Sequence, residues 1–196
     1  MTSIPPRYLI KNARLINEGQ IQEGDILLEN GRIEKIDRSL SPLDLHVQVI
    51  DAAGCYVLPG VIDSQVHFRE PGLTHKGDIA SESMAAIAGG VTSYVEQPNT
   101  IPQAVTVEEL EKKYARAAEV SWANYSFNMG ATNDNLEELK KVSKRDVAGI
   151  KIFMGSSTGD MLVDNPDTLE RIFREVDHQL IAHCEDEATI RRNLEA

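Results

Sequence analysis

Tyr56-Val-Leu-Pro-Gly-Val-Ile62 runs directly into Asp63-Ser-Gln-Val-His67-Phe-Arg69-Glu-Pro-Gly72, and the rhythm of the chain changes there. Upstream, short alternating runs at 8–10, 13–16, 25–29, 32–36 and 46–50 are separated by turn chemistry. Asn30-Gly31 tolerates the positive φ of a two-residue type I′ hairpin. Residues 1–55 therefore read as a small antiparallel β unit, a portion of a β-sandwich. From Tyr56 onward the pattern is buried strand, polar loop, amphipathic helix, which marks parallel βαβ units.

Strands are predicted at 56–62, 91–96, 125–129, 149–154 and 179–183. Helices are predicted at 78–88 (ended by Gly89-Gly90), from the Thr106-Val-Glu-Glu109 capping box to Ala118, from Asn133 to Val142, from Asp164-Asn-Pro166 to Asp177, and from Glu185 onward. Such units suit a doubly wound sheet or a (β/α)8 barrel. The polar residues choose between them: His67, Glu96, Asn99, Asn128, Lys151 and His183 each lie at or just past the C-terminal end of a predicted strand. In a TIM-type barrel those ends share one mouth. The expected class is thus α/β, with residues 56–196 forming the first part of a barrel. Five units do not close eight strands, so the chain is expected to be part of a longer protein or to be completed by another chain.

Twenty Lys and Arg stand against 31 Asp and Glu, a formal charge of −11. An acidic surface repels nucleic acid and anionic membrane, so neither is expected as a partner. A hydrophobic share of 41% is enough for a sizeable core. The absence of a long apolar run or a secretory start suggests a cytoplasmic protein. Cys55 and Cys184 lack metal or redox spacing and suit a reducing compartment.

Alternation on a strand points Asp63, Gln65 and His67 together toward the mouth. A single inward His is more often structural than a ligand. Lys151 is more unusual, because it interrupts the apolar run Gly149-Ile-Lys-Ile-Phe-Met154. A buried ammonium is costly unless paired or neutralised. Two readings stand: an ion pair with an inward acid, or a neutral amine that adds carbon dioxide to become a metal-bridging carbamate. His183 ends the next apolar strand, with Glu185 and Asp186 placed to orient it or to cap the following helix. Cys184 faces away from His183 and is expected to be a packed core thiol. Gln97-Pro-Asn99-Thr100 alone reads as a turn, and Gly155–Gly159 as at best a loop facing the substrate.

Together, Pro59-Gly-Val-Ile-Asp63, His67, Lys151 and His183 resemble the amidohydrolase superfamily, and within it the cyclic amidases. His67-Phe-Arg-Glu-Pro-Gly72 and Pro98-Asn-Thr100 look most like dihydroorotase. The resemblance implies a (β/α)8 barrel with a small β-sandwich, acting on a small-molecule substrate as a homo-oligomer. The implied reaction interconverts dihydroorotate and N-carbamoyl-aspartate in pyrimidine synthesis. It implies one or two zinc ions held by His67, a carbamylated Lys151 and His183, with Gln65 and Asp63 as further candidates. It also implies a substrate carboxylate held by Arg69 and Asn99. Gln65 stands where the family's Asp-x-His-x-His motif has its first His, so one metal site is expected to be weakened. The 196-residue chain alone is expected to be inactive. Two alternatives stay open: an allantoinase or hydantoinase type of cyclic amidase, which Arg69 argues against, and a metal-poor dihydroorotase-like structural subunit.

Overall fold

Asn30 and Gly31 take φ values of 51° and 74°, as a type I′ turn demands. They join β2 (Gln20–Glu29) to β3 (Arg32–Asp37) as an antiparallel pair. Glu18 and Gly19, at 49° and 73°, make the matching turn between β1 (Arg7–Asn17) and β2. The runs expected separately at 8–10 and 13–16 are one strand. Its register shifts between Ile10 and Ala13, where Asn12 bulges at φ 59° and donates its N–H to Asp25 Oδ1 at 2.8 Å. Buried Asp25 also accepts the Leu40 N–H and pairs with Lys11, and the Leu40 bond leads in holding its carboxyl below the usual range.

The structure is a computed structural model that describes residues 7–42, 46–155 and 161–195, and the chain divides into two units at Pro59/Gly60. The first unit corrects the expectation of a purely antiparallel arrangement. β4 (Gln48–Asp51) and β5 (Tyr56–Val57) both run parallel to β1, giving a mixed five-stranded sheet.

The strand expected at 56–62 is divided. Pro59 has no N–H to give to a ladder. Gly60 packs so closely on Thr92 that a Cβ would lie 2.1 Å from its Oγ1. Pairing resumes at β6 (Val61–Val66), which leads a parallel sheet in the order β10-β9-β8-β7-β6, with β7 Val91–Glu96, β8 Asn124–Gly130, β9 Gly149–Phe153 and β10 Leu180–His183.

The helices between these strands start where their caps say. Asp78 caps α1 (Ile79–Ala88), Thr106 caps α2 (Val107–Val120), Asn165 caps α4 (Pro166–Glu175) and Asp186 caps α5 (Glu187–Leu194), each accepting a first-turn N–H. The third helix departs from expectation. Asn133 does not cap a helix to Val142; its amide instead bridges Asp164 and the Asn165 N–H. Only one turn, α3 (Leu136–Leu139), forms. Phe127 and Met129 of β8 and Ile150 and Ile152 of β9 form a core with Leu110, Leu139 and Ile172 of the helices. That fixes which sheet face is covered. No helix among the described residues is long and apolar enough to cross a membrane.

Candidate active site

Because Ile150 and Ile152 face the helices, Lys151 and Phe153 face the other side of β9. Register carries that face across the sheet. Lys151 lies beside Gly130 and Ile181, Phe153 beside His183, and Gly149 beside Asn128. Lys151 is 3% exposed, its Nζ stands 5.2 Å from the Phe153 ring centroid, and no carboxylate among the described residues pairs with it. Desolvation pushes its pKa down from the ordinary lysine range. The ion-pair reading of this lysine therefore finds no support among the described residues.

His67 follows β6 and places Nδ1 at 2.9 Å from Asn99 Oδ1. Burial is the largest influence lowering its pKa, and the positive charges of Arg69 and Lys151 push the same way. His183 Nε2 lies 3.2 Å from Glu185 Oε1. Arg69 sits at φ 72°, a left-handed conformation that costs a non-glycine residue about 1 kcal/mol or more. Its N–H donates to Glu96 Oε1 at 3.0 Å.

Asp63 and Cys184 do not sit as expected. Asp63 pairs with Tyr94 and Val66 with Glu96, so β6 carries one more residue than β7 over this stretch. Asp63 and Val66 consequently share a face, and the alternation that would align Asp63 with Gln65 and His67 is broken. Asp63 Oδ1 accepts the Gln65 N–H at 3.0 Å, and both residues are exposed. Cys184 is exposed rather than buried, with Sγ 3.8 Å from Met154 Sδ. In the loop expected at 155–159, residues 156–159 lie outside the described residues.

Glu96 also turns away from the open face. It shares the covered face with Phe127, its partner on β8, and pairs there with Lys113 of α2 at 2.8 Å. Sequence reasoning missed Lys113, since one lysine among several on an amphipathic helix gives no sign that it points inward. It also passed over Gln97, which together with Asn128 is buried, with no hydrogen-bond partner for either amide end. Two unsatisfied buried amides, Gln97 just past β7 and Asn128 within β8, are the feature that would expect a ligand.

A sequence profile of the dihydro-orotase-like family matches residues 54–193. The chain belongs to that family. Among its relatives, the dihydroorotase of Methanosarcina acetivorans is 38% identical over 188 residues, covering 93% of this chain and 39% of that protein. The L-hydantoinase of Paenarthrobacter aurescens is 30% identical over 187 residues, covering 93% of this chain and 41% of that protein. In structure, the L-hydantoinase (dihydropyrimidinase) of Arthrobacter aurescens superposes with a TM-score of 0.88 at 29% identity, covering 96% of this chain and 43% of that one. A D-hydantoinase gives 0.79 at 28% identity, covering 95% of this chain and 42% of that one. The chain thus spans about two fifths of the length of the relatives it matches.

Proposed function

We propose that this dihydro-orotase-like chain carries the carboxylate-binding and part of the zinc-binding machinery of a cyclic amide hydrolase. The enzyme interconverts dihydroorotate and N-carbamoyl-aspartate in pyrimidine biosynthesis, as a cytoplasmic homo-oligomer. In this reading the parallel sheet is the first five strands of a (β/α)8 barrel, and residues 1–55 supply one layer of a β-sandwich.

The supporting observation is Lys151, a desolvated cation without an acid partner among the described residues, on the same sheet face as His183. Its neutral amine adds carbon dioxide, forming an N–C bond and releasing one proton, and the product is an anionic carbamate. No three His, Cys, Asp or Glu side chains converge among the described residues, so a metal held here depends on those carbamate oxygens. The remaining donors fit. His67 commits Nδ1 to Asn99 and keeps Nε2, while His183 commits Nε2 to Glu185 and keeps Nδ1. His67, carbamylated Lys151 and His183 would hold one or two zinc ions, with Gln65 as a weak neutral donor. Bound zinc supplies a nucleophilic water at neutral pH and polarises the scissile carbonyl.

Arg69 then receives the ring carboxylate with two parallel hydrogen bonds. Asn99, its Oδ1 engaged by His67, keeps an amide N–H for the same carboxylate. Gln97 and Asn128 offer donors and acceptors to the ring amide. The structural likeness to hydantoinases favours a second reading, a hydantoinase-type cyclic amidase. A hydantoin ring has no carboxylate for Arg69, so a substrate panel separates the two. Dihydroorotate should be opened and 5-substituted hydantoins left intact; hydantoin turnover unaffected by Arg69→Met would overturn the proposal. Zinc content below one ion per chain in active-site-intact protein would favour a metal-poor subunit.

A further inference from the structure

The covered side of the sheet carries an arrangement that the hydrolase reading leaves unused. Lys113 and Arg116 are three residues apart on α2 and so project from one side of the helix. Each ends on a carboxylate that holds the 67–72 segment. Lys113 Nζ lies 2.8 Å from Glu96 Oε2, and Glu96 Oε1 accepts the Arg69 N–H at 3.0 Å. Arg116 Nε lies 2.7 Å from Glu70 Oε1, and Glu70 Oε2 accepts the Ile79 N–H at 2.9 Å. The Pro71 carbonyl accepts the Ile101 N–H at 3.0 Å, closing the segment from its far end.

We propose that Glu96, with Lys113 as its buried counter-charge and with the Glu70–Arg116 pair beside it, is a positioning residue that fixes the main chain of Arg69 so that its guanidinium meets the substrate carboxylate. Lys113 and Glu96 are 2% and 0% exposed in their side chains. A buried ion pair is an expensive way to fill that space, since apolar residues of similar volume usually serve stability as well or better. What the pair delivers, and a leucine could not, is an acceptor for the N–H of a residue held at φ 72°. The strain concentrates where the carboxylate-binding arm leaves the sheet, and the ion pair answers it from behind. Displacement of a positioning group by about 1 Å is enough to cost binding or rate.

This inference rests on the reading of Arg69 as the carboxylate-binding residue, and its test separates the two. In the intact enzyme, Glu96→Gln/Lys113→Met removes both charges yet keeps an amide oxygen for the Arg69 N–H, whereas Glu96→Leu/Lys113→Met removes the acceptor. The first should leave the KM for dihydroorotate within about twofold, and the second should raise it at least about tenfold with kcat unchanged, the worth of one hydrogen bond. In an Arg69→Met background the difference between them should vanish. Arg116→Ala, at a half-exposed position that folding tolerates, should raise KM about two- to fivefold with the same kcat. It keeps the test decisive should the leucine variant not fold. If Arg69→Met raises KM while the leucine variant and Arg116→Ala do not, positioning by this pair is refuted and the reading of Arg69 stands. If Arg69→Met itself leaves KM unchanged, both fall.

Discussion

Lys113→Met removes the cation from a carboxylate that has no other ion-pair partner among the described residues. Lys113 Nζ and Glu96 Oε2 are 2.8 Å apart, with side chains 2% and 0% exposed. Burial pushes the Glu96 pKa up and the Lys113 pKa down, each opposed by the attraction of the other. Without Lys113, Glu96 keeps the Arg69 N–H but loses its counter-charge. Breaking such a pair from one side costs about 3–5 kcal/mol at neutral pH. For a domain of this size that lowers the melting temperature by roughly 6 °C or more. Glu96→Gln/Lys113→Met should recover most of the loss, because no buried charge remains.

The pH dependence gives a second handle on the same variant. A carboxyl whose folded pKa lies above its ordinary 4.5 binds more protons folded than unfolded between those two values. Stability therefore falls as pH rises across that window and is level above it. Losing Lys113 raises the folded pKa further, so the deficit of Lys113→Met should be greatest above that pKa and shrink as pH falls toward 4.5. Urea unfolding of parent and variants across that range measures it. A deficit below about 1 kcal/mol that does not change with pH would mean the pair is effectively solvated, and the buried-pair argument would be wrong.

The elements were legible in the sequence wherever a cap, a turn pair or strict alternation carried local information. Thr106 and Asn165 cap the helices they were expected to cap, and Asn30-Gly31 makes its hairpin. The places of Lys151 and His183 on β9 and β10 were legible for a related reason: a polar residue inside an apolar strand is costly, so both stand out in the sequence. What failed was what depends on pairing across the sheet. The extra residue in β6 that turns Asp63 away from Gln65 and His67 is visible only in the register against β7. The inward direction of Lys113 depends on Glu96 being buried beneath α2, a fact about two elements rather than one. Asn133 looked like a helix cap because its alternative partners, Asp164 and Asn165, come from some thirty residues away. Local chemistry was readable, while its redirection by tertiary partners was not.

Carbon-13 bicarbonate should give the intact enzyme a carbamate resonance that Lys151→Ala abolishes, and its absence from zinc-loaded active protein would remove Lys151 from the metal site. Arg69→Lys should weaken dihydroorotate binding by about 1.5–3 kcal/mol without changing thermal stability, because an ammonium cannot reproduce the two-pronged contact; unchanged affinity by calorimetry would make Arg69 a surface residue. Asn99→Ala tests how His67 is held. The 2.9 Å contact between His67 Nδ1 and Asn99 Oδ1 fixes the ring and leaves Nε2 as the free donor, so the loss frees the imidazole to rotate and to change tautomer. Zinc affinity, measured by competition with a chelator, should fall about 10- to 100-fold, the usual effect of removing the partner of a metal-bound histidine. Asn99→Asp separates orientation from charge, since a carboxylate still accepts from Nδ1 and makes the imidazole more basic. Its zinc affinity should stay at or above that of the parent, while dihydroorotate binding falls because a second carboxylate now faces that of the substrate. Equal losses of zinc in Asn99→Ala and Asn99→Asp would show that Asn99 serves packing alone and that His67 is oriented by something else.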